Sequence, residues 1–377
     1  MIGGWRPAVL ALCLALAACA GSPAELPSAV PIPPPPETVH PAVFAGAVPL
    51  SQLPGWAAED HLAAFAAFAR GCRVSGDTSL AAACDEAAGL ERGVRPLTAG
   101  DGREFLERWF VAVEARTADG RPGLLTAYFA PEYAARRTRD DAYSAPLLAR
   151  PADLARSDGG VVQRRAGGST ALYPARAEIQ AGATDGQVLA WLRPEDLFFL
   201  QIQGSGYLTF PDGRQARAAY AADNGRPFVA IARPMVERGL LPANGASGDA
   251  IRAWLAAHAG PEAEAIMRLN PRYIFFDMQP DDGGQPAGAA GLPLTPRRAI
   301  AVDPASWRYG DAVWIQADGG GLIGARRSYS GLVMALDTGS AIRGPVRADL
   351  YVGRGAEAGS EAGAVRHPLR MWRLVPR

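Results

Sequence analysis

From residue 298 to the C-terminus the chain is cut into short apolar runs, at 298–302, 312–315, 333–336, 348–352 and 372–375. Glycine, proline or aspartate interrupts the intervals between them. Runs of this length are too short for helices and suit strands. The chain holds 43 Gly and 32 Pro, a density that favours many turns over long elements. This last part therefore reads as a β-structure of short strands. Two of those strands carry an acid. The run 333–336 leads into Asp337-Thr338-Gly339, and Asp349 lies between Ala348 and Leu350. A carboxylate among apolar strand residues is costly unless it is hydrogen-bonded or used in chemistry. Asp-Thr-Gly also caps turns, so the local pattern leaves a structural and a chemical role open for each residue.

Upstream the pattern is mixed. Residues 59–70 place Leu62, Phe65, Ala66 and Ala69 on one helical face, with Gly71 to end it. Residues 101–116 set Phe105, Trp109, Phe110 and Val113 at helical spacing and predict a second helix. A strand follows at 124–129, ended by Pro131. In the middle of the chain 197–202 is the strongest strand pattern, and 207–210, Pro211-Asp212-Gly213 and 217–220 read as a hairpin. Helical pattern covers 228–239, 247–258 and 262–269, with Ser247 as an N-cap, and 273–276 is again a strand. The fold class expected is mainly β with attached helices.

Residues 1–20 combine the Arg6 charge with an apolar run over 9–18 that is too short to span a bilayer, the pattern of an export signal. Leu16-Ala17-Ala18-Cys19 resembles a bacterial lipobox, in which Cys19 is lipidated. An ordinary signal cut at an Ala-x-Ala-like site is the alternative. Ala20 stands where inner-membrane retention favours Asp, which implies an outer-membrane lipoprotein facing the periplasm. The expected division is thus a signal over 1–19 and a proline-rich, extended tether over 20–54. Lys plus Arg equals Asp plus Glu at 38 each, so there is no electrostatic case for a nucleic-acid partner. With Cys13 and Cys19 set aside, Cys72 and Cys84 remain, as one disulfide in an oxidising compartment or as two thiols. The four His are scattered without metal-ligand spacing, and neither a metal nor a cofactor is expected.

Three aspartates in order, Asp303, Asp337 and Asp349, resemble the "3D" domain, a double-psi β-barrel named for them. Leu125-Thr126-Ala127-Tyr128-Phe129-Ala130-Pro131 resembles the Thr-Gly-Tyr-Tyr-x-Pro signature of the membrane-bound lytic murein transglycosylase A (MltA) family. Further matches follow in family order at 175–179, 196–206, Asn224-Gly225-Arg226 and 270–276. The resemblance covers roughly residues 50–377, and Ala127 stands where the family usually has Gly. It implies a discontinuous double-psi β-barrel from 55–135 and 270–377, a smaller inserted β-domain at 136–269, and a substrate groove between them.

The resemblance also implies a peptidoglycan lytic exotransglycosylase, a carbon–oxygen lyase acting on a polysaccharide. Such an enzyme cleaves the β-1,4 bond between N-acetylmuramic acid and N-acetylglucosamine. The muramoyl C6 hydroxyl attacks C1 and leaves a 1,6-anhydro end. One carboxyl of raised pKa can protonate the leaving oxygen and then accept the hydroxyl proton, whereas a conventional glycosidase needs two. The resemblance assigns that role to Asp349, whose apolar flanks fit a desolvated carboxyl. Asp337 would stabilise oxocarbenium charge or hold the site, and Asp303, before Pro304, reads as a turn former. Thr126, Gln203 and Ser205 are hydrogen-bonding candidates for the glycan. Gly206, with Gly204, would let the backbone approach a sugar. Gln201 reads as a solvent-facing strand residue. Tyr128 and Tyr351 are stacking platforms or core. Arg343 meets substrate carboxylates or shields Asp349. The partners implied are peptidoglycan glycan strands, an outer-membrane lipid anchor through Cys19 and a cell-wall synthesis complex. Two alternatives stay open: an inverting glycoside hydrolase with Asp337 as base, and a non-catalytic glycan-binding lipoprotein.

Overall fold

The computed structural model describes residues 43–377 except 158, 243–244 and 321–325. The lipobox with Cys19 and most of the expected tether lie outside these residues. Up to residue 130 the elements are β1 (Val43–Pro49), α1 (His61–Gly71), α2 (Ala81–Glu91), α3 (Ala99–Trp109), β2 (Phe110–Arg116) and β3 (Gly123–Ala130). The middle of the chain contributes β4 (Glu132–Ala134), β5 (Ala145–Leu148), β6 (Leu154–Ser157), β7 (Gly160–Arg164), β8 (Thr170–Leu172), α4 (Arg176–Gln180), β9 (Val188–Leu192) and α5 (Pro194–Gln203). It continues with β10 (Gly206–Thr209), β11 (Gln215–Asp223), α6 (Ala232–Glu237), α7 (Gly248–Ala257), α8 (Pro261–Met267) and β12 (Ile274–Pro280). The last part holds β13 (Ala299–Ala301), β14 (Ala312–Asp318), β15 (Ser328–Asp337), β16 (Arg347–Arg354), α9 (Gly355–Ala364) and β17 (Arg366–Pro376).

The short apolar runs become strands of a sheet that closes on itself. Hydrogen bonding runs β17–β14–β15–β13–β16–β3, and β3 returns to β17. The β13–β15 and β16–β3 pairs are parallel and the others in the ring antiparallel. Closure leaves the ring no free edge, and β2 with β1 extends the sheet beyond β17. Alternate residues serve two cores, as the strand period requires. Leu125, Ile300, Val313, Val333 and Leu350 gather inside the ring. Trp314, Leu332, Met334 and Trp372 face α1 and α3, where Phe65 meets Phe105 edge-on at 5.0 Å. The Cys72–Cys84 disulfide ties the end of α1 to α2. A second, four-stranded sheet, β12-β11-β10-β4, carries the two small sheets β5–β9 and β6-β7-β8 and the helices α4 to α8. None of the described helices is long and apolar enough to cross a membrane.

Four expectations change. The helix expected over 101–116 stops at Trp109, and Phe110–Arg116 is β2, paired with β1 and β17. Phe110, Val111 and Val113 favour a pleated surface, and the sheet supplies ladder bonds that local spacing does not show. The strand expected over 197–202 is α5. Pro194 at its first turn, Glu195 and Asp196 beside the N-terminus and Gly204 at φ +84° after it are helix-boundary chemistry. A continuous apolar run alone cannot separate a buried helix from a strand. The tether is folded in its last part: β1 pairs with β2, and Leu50 and Leu53 are buried in the core. Finally, β12 bonds to β11, so the middle sheet reaches from Glu132 to Pro280, wider than 136–269. Ser247 caps α7 as its sequence suggests, accepting from the Ala250 N–H at 3.2 Å.

Candidate active site

One row of the barrel wall carries the acids. Ala301 on β13 is in register with Asp337 at the end of β15 and with Asp349 on β16. Asp349 is in turn in register with Thr126 on β3. Neighbouring strands lie about 4.8 Å apart, so the two acid-bearing backbones stand roughly 10 Å apart. Ala301 stands between them in the register.

Thr126 Oγ1 donates to Asp349 Oδ1 at 2.5 Å, and Arg347 Nη2 donates to that same Oγ1 at 2.9 Å. The guanidinium occupies a lone pair of the hydroxyl and so turns its single proton toward the carboxylate. Asp349 Oδ2 has no hydrogen-bond partner among the described residues, and Asp349 lines a cleft. Burial pushes the Asp349 carboxyl above the ordinary carboxylate range. Arg347 and Thr126 work against that rise, and the Asp337 charge adds to it. Burial also lowers the Arg347 guanidinium, whose charge Asp349 supports. Arg347 Nη1 is tied to the Ala348 carbonyl at 2.5 Å.

Asp337 sits in a different setting. Tyr128 Oη donates to its Oδ2 at 2.6 Å, and the Ala289 and Thr338 N–H groups donate to Oδ1 at 3.0 and 2.9 Å. Burial raises its pKa and these three donors oppose the rise. Every hydrogen bond it makes is accepted, so its surroundings fit the ionised form. Asp303 is buried, 2% exposed, and fastens two loops. It accepts from the Gly344 N–H at 2.7 Å and the Ala305 N–H at 3.1 Å, and Arg343 Nη1 lies 3.5 Å away. Arg343 therefore faces Asp303; the cation beside Asp349 is Arg347.

The acids open on a cleft between the barrel and the middle sheet. Its narrow part, about 300 Å³, is lined by Thr126, Tyr128, Asp337 and Asp349 on the barrel side and by Gln203 and Tyr220 opposite. A wider part of about 840 Å³ shares Gln203, Tyr220 and Asp337 and reaches Ser205 and Arg343. Gln203 Oε1 accepts from the Phe129 N–H at 3.2 Å, which leaves its amide nitrogen for the cleft. Tyr128 is committed to Asp337 through its hydroxyl, and its ring tilts against Tyr351 at 5.3 Å. Tyr351 is core, its hydroxyl bonded to Gln285 at 2.6 Å. Gly206 differs from expectation. A Cβ there would stand 2.6 Å from Leu200 Cδ1 and 2.8 Å from the Pro131 carbonyl, so the close approach that requires glycine is to Pro131. Gln201 is buried on α5, where it accepts from Arg176 Nη1 and donates to the Ile274 carbonyl. Ala127 needs no special backbone, since Arg297 alone among non-glycine described residues has a left-handed φ.

Three residues of the cleft escaped the sequence reading. Arg347 precedes Asp349 by two positions, the spacing that shares a strand face, and that signal was legible. Arg176 is 2% exposed and donates to the carbonyls of Asn270 and Arg272 at 2.9 and 2.6 Å, with burial lowering its pKa to about 10. Tyr220 is 46% exposed, and its hydroxyl is pinned to Asp223 Oδ2 at 2.6 Å, which also takes Arg272 Nη2 at 2.9 Å. No local pattern marks Tyr220. Among the described residues no group of three or more His, Cys, Asp or Glu is placed to hold a metal ion.

A closed β-barrel that presents a carboxyl of raised pKa to a groove of hydroxyl, amide and tyrosine groups is the make-up of a polysaccharide-cleaving enzyme. The MltA specific insert domain matches residues 124–277 and the 3D domain matches residues 298–375. Membrane-bound lytic murein transglycosylase A of Vibrio cholerae is 32% identical over 260 residues, 67% of this chain and 65% of that protein. Its Escherichia coli counterpart is 31% identical over 284 residues, 73% of this chain and 72% of that protein. Among solved structures, a membrane-bound lytic murein transglycosylase from Agrobacterium tumefaciens is 32% identical with a TM-score of 0.74, covering 88% of this chain and 97% of that one. Escherichia coli MltA with bound chitohexaose is 26% identical with a TM-score of 0.67, covering 89% and 95%. The chain belongs to the membrane-bound lytic murein transglycosylase A family.

Proposed function

We propose that this chain cleaves the β-1,4 bond between N-acetylmuramic acid and N-acetylglucosamine in peptidoglycan as a lytic transglycosylase, with Asp349 as its acid and base. The observation that carries the reading is the divided environment of the Asp349 carboxyl. Oδ1 is held by Thr126, while Oδ2 lacks a partner among the described residues and is the oxygen left to hold a proton toward the cleft. Burial keeps that proton on at a pH where an exposed Asp has lost it. Asp349 gives the proton to the glycosidic oxygen as the C1–O bond breaks, and becomes a carboxylate supported by Thr126 and Arg347. The C6 hydroxyl of the muramoyl ring then attacks C1, and its proton passes to Asp349. The acid is regenerated and no water is consumed. Asp337, fitted for its ionised form, stabilises the positive charge that develops on the ring. Gln203 and Ser205 offer hydrogen bonds to the sugars, and the exposed face of Tyr220 offers a stacking surface. The bound chitohexaose of the Escherichia coli relative supports a glycan in this cleft.

The test is mass spectrometry of peptidoglycan digested by the full chain, beside an Asp349→Asn variant. The expected result is anhydro-muropeptides from the wild type and none from the variant. Reducing ends would replace the lytic mechanism with an inverting hydrolase. Glycan binding without any release would leave a binding module. The outer-membrane anchor at Cys19 is a further part of the proposal. A diacylglycerol-modified N-terminal peptide supports it, and an unmodified Cys19 removes it.

A further inference from the structure

The two parts of the cleft differ in charge. The wider part is lined by four guanidinium groups, those of Arg156, Arg217, Arg272 and Arg343, and by two acids, Asp223 and Asp337. Arg272 is matched by Asp223 at 2.9 Å and Arg343 stands 3.5 Å from Asp303. The other two have no carboxylate at ion-pair distance among the described residues. Arg156, on β6, is exposed. Arg217, on β11, bonds the side-chain oxygen of Gln279. Two like charges held in one concave wall repel each other. That arrangement is relieved by an anion, and a planar fork of donors suits a carboxylate best. Neutral hydroxyl and acetamido groups supply no such charge. What separates the muramoyl strand from chitin is the lactyl ether on alternate sugars, which ends in a carboxylate or carries a peptide with its own carboxylates.

We propose that Arg156 and Arg217 form a carboxylate-reading wall in the wider part of the cleft, which binds the acidic side arm of the glycan while the narrow part holds the neutral sugar at Asp349. This rests on the glycan-cleaving reading above and adds the residues that read the acidic side arm. Arg156 and Arg217 lie on the middle domain, and Asp337 and Asp349 lie on the barrel. A substrate with both a neutral backbone and anionic branches therefore meets complementary surfaces on the two sides.

The experiment measures affinity in the full chain carrying Asp349→Asn, which binds without turnover. Three ligands are compared: chitohexaose, muramoyl strands stripped of peptide so that only lactyl carboxylates remain, and strands that keep their peptides. At about 25 mM salt the acidic strands are expected to bind roughly 5–20-fold tighter than chitohexaose, and the advantage shrinks at about 500 mM. Adding Arg156→Gln with Arg217→Gln removes the advantage and leaves chitohexaose affinity within about twofold. Arg156→Gln alone, an exposed change, loses part of it and guards against a folding defect at Arg217. A full advantage for stripped strands assigns the wall to lactyl carboxylates. An advantage confined to peptide-bearing strands assigns it to the stem peptide. Equal binding of all three ligands at both salt levels overturns the proposal while chitohexaose binding keeps the glycan site intact. If no ligand binds, both readings fall.

Discussion

Thr126→Val is the sharpest probe of the acid. Valine keeps the shape and the strand preference of threonine and removes only the hydroxyl that joins Arg347 Nη2 to Asp349 Oδ1. That hydroxyl stabilises the carboxylate form of Asp349, so its loss adds to the rise that burial already imposes. A hydrogen bond to a charged group contributes about 1.5–3 kcal/mol. At about 1.4 kcal/mol per pH unit, the alkaline limb of the rate profile moves by about one to two units. The sign follows from the role. In the proposed role Asp349 must be protonated, so activity falls as pH rises through its pKa and a raised pKa carries the limb to higher pH. The plateau also drops, because the carboxylate that forms as the bond breaks has lost its donor. A fall of about 10–100-fold matches the same energy. The assay is release of anhydro-muropeptides against pH, with circular dichroism to show an unchanged fold. An alkaline limb that stays in place, or moves to lower pH, refutes the assignment of Asp349 as the acid held by Thr126.

Other perturbations read other parts of the site. Asp337→Asn removes a charge that raises the Asp349 pKa, so the alkaline limb should move to lower pH, opposite to Thr126→Val, while the rate falls. Tyr220→Ala deletes an exposed ring in the cleft. Covering about 50 Å² of that ring with a sugar is worth about 1.3 kcal/mol, so glycan affinity should fall roughly 10-fold by calorimetry. Glu59→Ala breaks a buried pair in which Glu59 takes Arg298 Nη2 and the Leu332 N–H, both at 2.8 Å. The loss should be about 3 kcal/mol in denaturant unfolding, since Arg298 stays behind unpaired. Reduction of Cys72–Cys84, a loop with a sequence separation of 12, should cost about 3 kcal/mol. That corresponds to a melting shift of about 4 °C for a chain of this size, and differential scanning calorimetry with and without reductant reads it.

Much of the barrel was legible because its strands announce themselves locally. Runs such as 333–336 and 348–352 are short, apolar and bounded by turn residues, and each lies inside an observed strand, β15 and β16. The Ser247 cap is equally local, being a hydroxyl beside an N–H three residues on. The misread elements are those where the deciding energy lies elsewhere in the chain. The run at 197–202 reads as nearly continuous apolar sequence because most of α5 is buried, its Leu197 and Leu200 against the second sheet and Phe198 among the helices. Residues 110–116 follow helical spacing, yet they gain ladder bonds to β1 and β17. Arg343 reads as a substrate or site cation, and its nearest acid proves to be Asp303.

By itself the sequence determined the kind of chemistry available: short strands, two acids set among apolar neighbours and hydroxyl and amide groups that suit a glycan. These are properties of side chains and of their immediate neighbours, and they survive in any window of ten residues. Only the tertiary structure decided which acid has a free oxygen. Thr126 and Asp349 are 223 positions apart, and Tyr128 and Asp337 are 209 apart. Both pairings exist because β3 closes the ring between β16 and β17. Strand register is set by which faces are buried and by ring closure, and those terms are summed over the whole barrel. The same closure sets β13 between the two acids, so one carboxylate accepts three donors while the other accepts one. The separate roles proposed for them rest on that difference in hydrogen bonding, and no stretch of sequence contains it.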